Sequence, residues 1–117
     1  MFTDPISITV NGVTKSMARI STGTMSSVYS TSDGLFTLTL SHQETGKQRV
    51  RTLVKFVQKA IVTNPLDSTN DYDTMTLSLT IDRPMAGFTI VQLEQLTAGF
   101  ISWLTNANVD KLYGKES

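Results

Sequence analysis

The sequence predicts an α+β fold: an N-terminal β-hairpin, an antiparallel β-sheet, and two C-terminal helices. Three observations carry this. Apolar and polar residues alternate with period two through most of the stretch from Ile6 to Ile81. From Phe88 to Thr105 the apolar spacing changes to three and four. Turn clusters separate the alternating runs. A length of 117 residues suits one domain, with the hairpin over 6–20, the sheet over 25–82 and the helices over 88–113.

Ile6 to Val10 alternates, Asn11-Gly12 follows, and Val13 to Ile20 resumes the alternation. Asn-Gly between two such runs is a strong hairpin signal, because both central positions of a type I′ turn need positive φ. Ser21 to Gly23 reads as a break, and Met25 to Ser30 as a weaker strand ended by Ser32-Asp33-Gly34. In Leu35 to Gln43, Phe36, Leu38 and Leu40 share one face and Thr37, Thr39 and Ser41 the other. Glu44-Thr45-Gly46-Lys47 turns into the next strand, which runs on to Ile61 and Val62.

Thr63 to Asp71 has loop composition. Tyr72 to Ile81 alternates Met75, Leu77, Leu79 and Ile81 with Thr74, Thr76, Ser78 and Thr80, and Arg83-Pro84 ends it. Thr89 with Gln92 forms a capping-box pattern, and Phe88 with Leu93 a hydrophobic staple. Leu93, Leu96, Phe100 and Leu104 make an apolar stripe, widened by Ile101 and Trp103. Gly99 within it suggests a close backbone contact. Asn106-Ala107-Asn108 reads as a helix break, with a short second helix from Val109 to Tyr113 closed by Gly114.

Charge supplies the functional lead. Five of the ten basic residues lie between Lys47 and Lys59, and Lys47, Arg49, Arg51, Lys55 and Lys59 share one parity. Val50, Thr52, Val54 and Phe56 take the other, so the strand has a core face and a cationic face. No acid occurs from Thr45 to Leu66, in a chain of net charge zero. Such segregation points to a polyanion; the alternative is an ordinary solvated strand face. Only 17% of residues are charged, which fits a surface partly covered by a partner.

Catalysis has no candidate set: there is no phosphate loop, no nucleophile elbow and no carboxylate pair placed for acid–base work. Cysteine is absent and His42 is the one histidine, so no cofactor or metal is expected. Asp71 and Asp73 read as loop solubility rather than a cation clamp. No apolar run approaches the ~20 residues that span a bilayer, and MFTDPISITV does not read as a signal peptide, so synthesis in the cytoplasm is expected.

Set side by side, the polar faces present Thr37, Thr39 and Ser41, then Arg49, Arg51 and Lys55, then Thr74, Thr76 and Ser78, with Tyr72 at a stacking position. Cations bind phosphates, hydroxyls reach base edges and 2′-hydroxyls, and an aromatic ring stacks on an unpaired base. A broad sheet without a groove-reading helix suits single-stranded RNA better than a duplex.

The stretches LFTLTLSHQETGKQRVRTLVKF and YDTMTLSLTIDRP, with the helical tail, together resemble the coat proteins of single-stranded RNA bacteriophages, the levivirus type. The likeness covers nearly the whole chain. It implies an intertwined homodimer, with sheets joined edge to edge and each subunit's helices across its partner's sheet. Dimers would close into an icosahedral capsid around the genome, in a virion made in bacterial cytoplasm. It further implies binding of an RNA hairpin that represses translation. Thr37 and Thr39 match hydroxyl positions of the family's adenine pockets, Arg51 falls near a third, and Arg49 and Lys55 look like phosphate contacts. Ser41 and Leu53 stand where well-known members carry basic residues, and Thr74 is the nearest match to the stacking tyrosine. Leu93, Leu96, Phe100, Trp103 and Leu104 would form the dimer interface. The alternatives are an oligomeric assembly protein without RNA binding and a small-molecule-binding α+β domain.

Overall fold

In the computed structural model, which describes residues 2–46, 48–63, 65–66 and 69–116, six antiparallel strands form one sheet and two helices follow. The strands are β1 (Ile6–Val10), β2 (Val13–Thr22), β3 (Ser26–Ser30), β4 (Phe36–Thr45), β5 (Arg49–Thr63) and β6 (Asn70–Pro84). Each lies beside its neighbour in sequence, so the sheet is an up-and-down meander. The chain divides into a sheet unit ending at Arg83 and a helical unit from Pro84. Lys47, Asn64, Asp67 and Ser68, assigned above to the cationic strand and the loop, lie outside the described residues.

The turns follow from local chemistry. Asn11 and Gly12 both take positive φ, 53° and 74°, as the type I′ turn between β1 and β2 requires. Between β3 and β4, the Asp33 carboxylate accepts from the Thr31 hydroxyl (2.6 Å) and the Leu35 amide (3.0 Å), closing an Asx turn. The hydrogen bond from Thr31 holds the Asp33 pKa below its ordinary value, helped by the Leu35 amide.

Several expected boundaries move: β4 runs to Thr45, β6 spans Asn70–Pro84 and so takes in the end of the loop expected to reach Asp71, and two expected breaks lie elsewhere. The break expected at Ser21 to Gly23 begins only at Gly23: β2 carries a β-bulge, with Arg19 paired to Tyr29, Ser21 to Val28 and Ile20 the extra residue, and runs on to Thr22. Pairing with β3 satisfies the backbone here, which sequence composition does not reveal. The helices are α1 (Ile90–Trp103) and α2 (Asn106–Tyr113). Asn106 to Asn108 is therefore the first turn of α2 and not a break; Thr105 caps it, accepting from the Asn108 amide at 3.4 Å. The capping box at α1 forms in full, with Gln92 N donating to Thr89 Oγ1 and Thr89 N to Gln92 Oε1.

The core sits under β4. Met17, Tyr29, Phe36, Leu38 and Leu40 are buried, with Ile6, Ile8, Val10, Val54 and Phe56 packed against them. Within the sheet unit, the cover over this apolar face thus comes from the β1–β2 hairpin. The Phe36 and Phe56 rings stack at 5.9 Å, and Lys15 lies over Phe36. Arg19 seals one end: its guanidinium donates twice to the Tyr29 hydroxyl (2.7 and 3.1 Å) and once to the Phe2 carbonyl. Its amide donates to the Asp4 carboxylate, so the segment before β1 is tied to β2.

None of the described residues of the helical unit is buried, and no described helix is long and apolar enough to cross a membrane. A close backbone contact was expected at Gly99, but a Cβ added there would meet nothing within 4 Å among the described residues.

Candidate nucleic-acid interface

Register decides which side chains meet. Thr37 pairs with Val57, Thr39 with Lys55, Ser41 with Leu53 and Gln43 with Arg51, without a slip from Phe36–Gln58 to Thr45–Arg49. Cross-strand partners share a face, so Thr37, Thr39, Ser41, Arg49, Arg51 and Lys55 lie together, opposite the core. Burial alternates accordingly: Phe36, Leu38 and Leu40 are buried, the hydroxyl residues between them half-buried, and the cations exposed. The unbroken register keeps the odd positions of β5 in one row. On the other face, His42 Nδ1 lies 3.0 Å from the hydroxyl of its cross-strand partner Thr52, three residues inside the end of β4.

β6 joins the same face through contacts of two of its residues, Asp82 near one end and Tyr72 near the other. Arg49 Nε reaches Asp82 Oδ1 at 3.1 Å, and Arg51 Nη2 reaches Asp82 Oδ2 at 3.7 Å. Lys59 Nζ stands 4.8 Å from the centre of the Tyr72 ring. The start of β5 therefore meets the end of β6, as antiparallel neighbours must. By alternation Tyr72, Thr74, Thr76, Ser78 and Thr80 share the face of Asp82. Thr80 also lines a shallow recess of about 140 Å³ with Ser41, Gln43, Arg51 and Leu53.

The result is a strip of alternating chemistry: hydroxyls on β4, cations on β5, hydroxyls again on β6. Ser26, Val28 and Ser30 of β3 extend it by pairing with Ser41, Thr39 and Thr37. Lys55 stands at its centre, beside Thr39 and exposed. Such a strip offers phosphate contacts along its axis and hydrogen-bonding groups on both flanks. Asp82 belongs to this strip although the sequence pattern does not single it out; its parity in β6 matches Thr74 and Thr76. Its meeting with Arg49 and Arg51 depends on the β5–β6 register, which parity alone does not supply.

In the helical unit, Leu93 is half-buried and Leu96, Phe100, Trp103 and Leu104 are exposed. The Phe100 and Trp103 rings lie 6.3 Å apart on the stripe. The β6 residues facing away from the strip are similarly bare, with Met75 65% and Leu77 69% exposed. Among the described residues no group of acids and histidine is placed to hold a metal.

Residues 3–84 match the family model described as phage phiCb5, coat protein. No curated protein matches the chain. Among solved structures, a virus-like particle of bacteriophage AVE019 superposes with a TM-score of 0.82 at 13% identity, over 96% of this chain and 94% of that one. A virus-like particle of Beihai levi-like virus 21 gives 0.73 at 9% identity, over 97% and 95%. The bacteriophage GA protein capsid gives 0.69 at 11% identity, also over 97% and 95%. At such identities these likenesses are likenesses of fold.

Proposed function

The chain belongs to the coat-protein family of phage phiCb5, a levivirus-type structural protein and not an enzyme, and we propose accordingly that it dimerises and closes into an icosahedral capsid around single-stranded RNA. The same surface binds an RNA hairpin and represses its translation. Residues 1–117 act as one coat-protein domain, made in the bacterial cytoplasm and ending in the virion.

The observation that carries the RNA reading is the strip on β4, β5 and β6. Arg49, Arg51 and Lys55 meet phosphates; Thr37, Thr39, Ser41, Thr74 and Thr76 meet bases and sugars; Tyr72 stacks on a base. Support for the dimer comes from apolar surface. Leu96 is 74% exposed and Trp103 52%, far more apolar area than a lone helix keeps in water. β6 ends the strand order, so it is an edge within the chain. Edge strands are ordinarily blunted by lysine, proline or brevity. β6 instead runs from Asn70 to Pro84 without a lysine, and its proline stands at the last position. Pairing with the β6 of a second copy about a two-fold axis satisfies that edge, while Leu93, Leu96, Phe100, Trp103 and Leu104 cover apolar surface of the partner.

Expression in bacteria followed by size-exclusion light scattering tests this, with absorbance at 260 and 280 nm read on the same peak. A large homogeneous particle rich in nucleic acid is expected. A small species free of nucleic acid at both low and high salt would overturn the reading.

A further inference from the structure

The cationic strip is not a bare row of positive charge. Among the described residues it carries one acid, Asp82, and that acid is spent on two of the strip's arginines. Each carboxylate oxygen addresses a different guanidinium, Arg49 Nε at 3.1 Å and Arg51 Nη2 at 3.7 Å. The side chains remain about half exposed, 44%, 54% and 41% for Arg49, Arg51 and Asp82. A phosphate arriving from solvent therefore has access to both arginines but meets the carboxylate already there. The carboxylate lies less than 4 Å from a nitrogen of each guanidinium, so a phosphate bound to either arginine would feel its repulsion within the screening length of about 8 Å at physiological salt.

We infer that Asp82 is an internal competitor for RNA phosphate, which holds Arg49 and Arg51 in reserve and limits the affinity of the strip for RNA of arbitrary sequence. This rests on the RNA reading above and names the residue that regulates it. A half-exposed ion pair is weak, so RNA phosphates presented together can displace it where a single stray phosphate cannot. Lys55, by contrast, sits beside Thr39 rather than an acid. Lys55 and its hydroxyl neighbours thus make the first contact, and the arginine end is recruited only when a longer or better-fitting RNA reaches it. Discrimination follows, since generic charge attraction is reduced while base-edge contacts on the threonines are untouched.

The test is fluorescence anisotropy of a short labelled single-stranded RNA of mixed sequence, titrated with full-length protein from about 0.05 to 0.3 M salt. Asp82→Asn should bind this RNA on the order of fivefold more tightly and steepen the log–log salt slope by roughly 0.7 for each phosphate gained. In an Arg49→Ala/Arg51→Ala background the same substitution should change nothing. Asp82→Ser serves as a second variant, and thermal melting accompanies each one. If Asp82→Asn lowers the melting temperature and leaves affinity and slope unchanged while Lys55→Ala weakens binding, Asp82 is a strand staple and the inference is overturned, with the RNA face intact. If Lys55→Ala and the double arginine variant both bind as the parent does, the RNA reading of the strip fails and takes this inference with it.

Discussion

Tyr29 is enclosed, 1% exposed, and its hydroxyl receives two hydrogen bonds from Arg19. Tyr29→Phe removes the acceptor and leaves part of a guanidinium without its partner, so a loss of about 1.5–3 kcal/mol is expected in denaturant unfolding. On the proposed RNA strip the residues separate by role. Lys55→Ala should weaken all single-stranded RNAs alike and lower the salt slope by roughly 0.7. Thr39→Ala should weaken only RNAs carrying the preferred base, with the slope unchanged, as competition binding would report. Asp33 adds a pH dependence of known sign. Its folded pKa lies below the ordinary aspartate value because Thr31 and Leu35 donate to the carboxylate. The resulting stability is present above the unfolded pKa and disappears as pH falls through the folded one. Asp33→Asn should therefore melt below the parent at about pH 7 and approach it near about pH 3. At this scale parity in the sequence is enough to sort the strip from the core on β4 and β5. Asp82 is not legible that way, because a salt bridge between strands is a property of their register.

Among the elements, those with strong periodicity are legible in the sequence and their ends are not. β2 and β4 extend to Thr22 and Thr45 because pairing with a neighbour continues past the point where apolar alternation stops, and β6 runs past Ile81 to Pro84. The start of α2 is hidden because asparagines suit turns, whereas the Thr105 hydroxyl caps the helix early enough to carry them in its first turn. α1 is the reverse case: its capping box is visible as Thr89 and Gln92, and it forms. Its apolar stripe makes a sharp test of association. Leu96→Asp alters a side chain that is 74% exposed in the chain by itself, so the sheet should fold as before. A charge at the centre of the stripe should nonetheless abolish the dimer and the particle, leaving a small species by light scattering.

For the whole molecule, the sequence implies one apolar and one polar sheet face without telling what covers the apolar one. Part of the answer lies within the chain, where the β1–β2 hairpin contributes Met17, fully buried, to the core with Tyr29, Phe36, Leu38 and Leu40. Met17→Ala should cost about 2–5 kcal/mol, measured on the unassembled protein. Much apolar surface on β6 and α1 stays exposed, and contacts between separate copies cannot be written as periodicity in one. Trp103 turns this into something visible. It is the sole tryptophan, 52% exposed on the stripe beside Phe100. An indole in water emits at longer wavelength than one enclosed by hydrocarbon, so under the proposed association the intrinsic fluorescence of this protein becomes a gauge of assembly, free of any attached dye. Its emission should move to the blue as copies come together and return to the red on dilution, following assembly from its first step in real time.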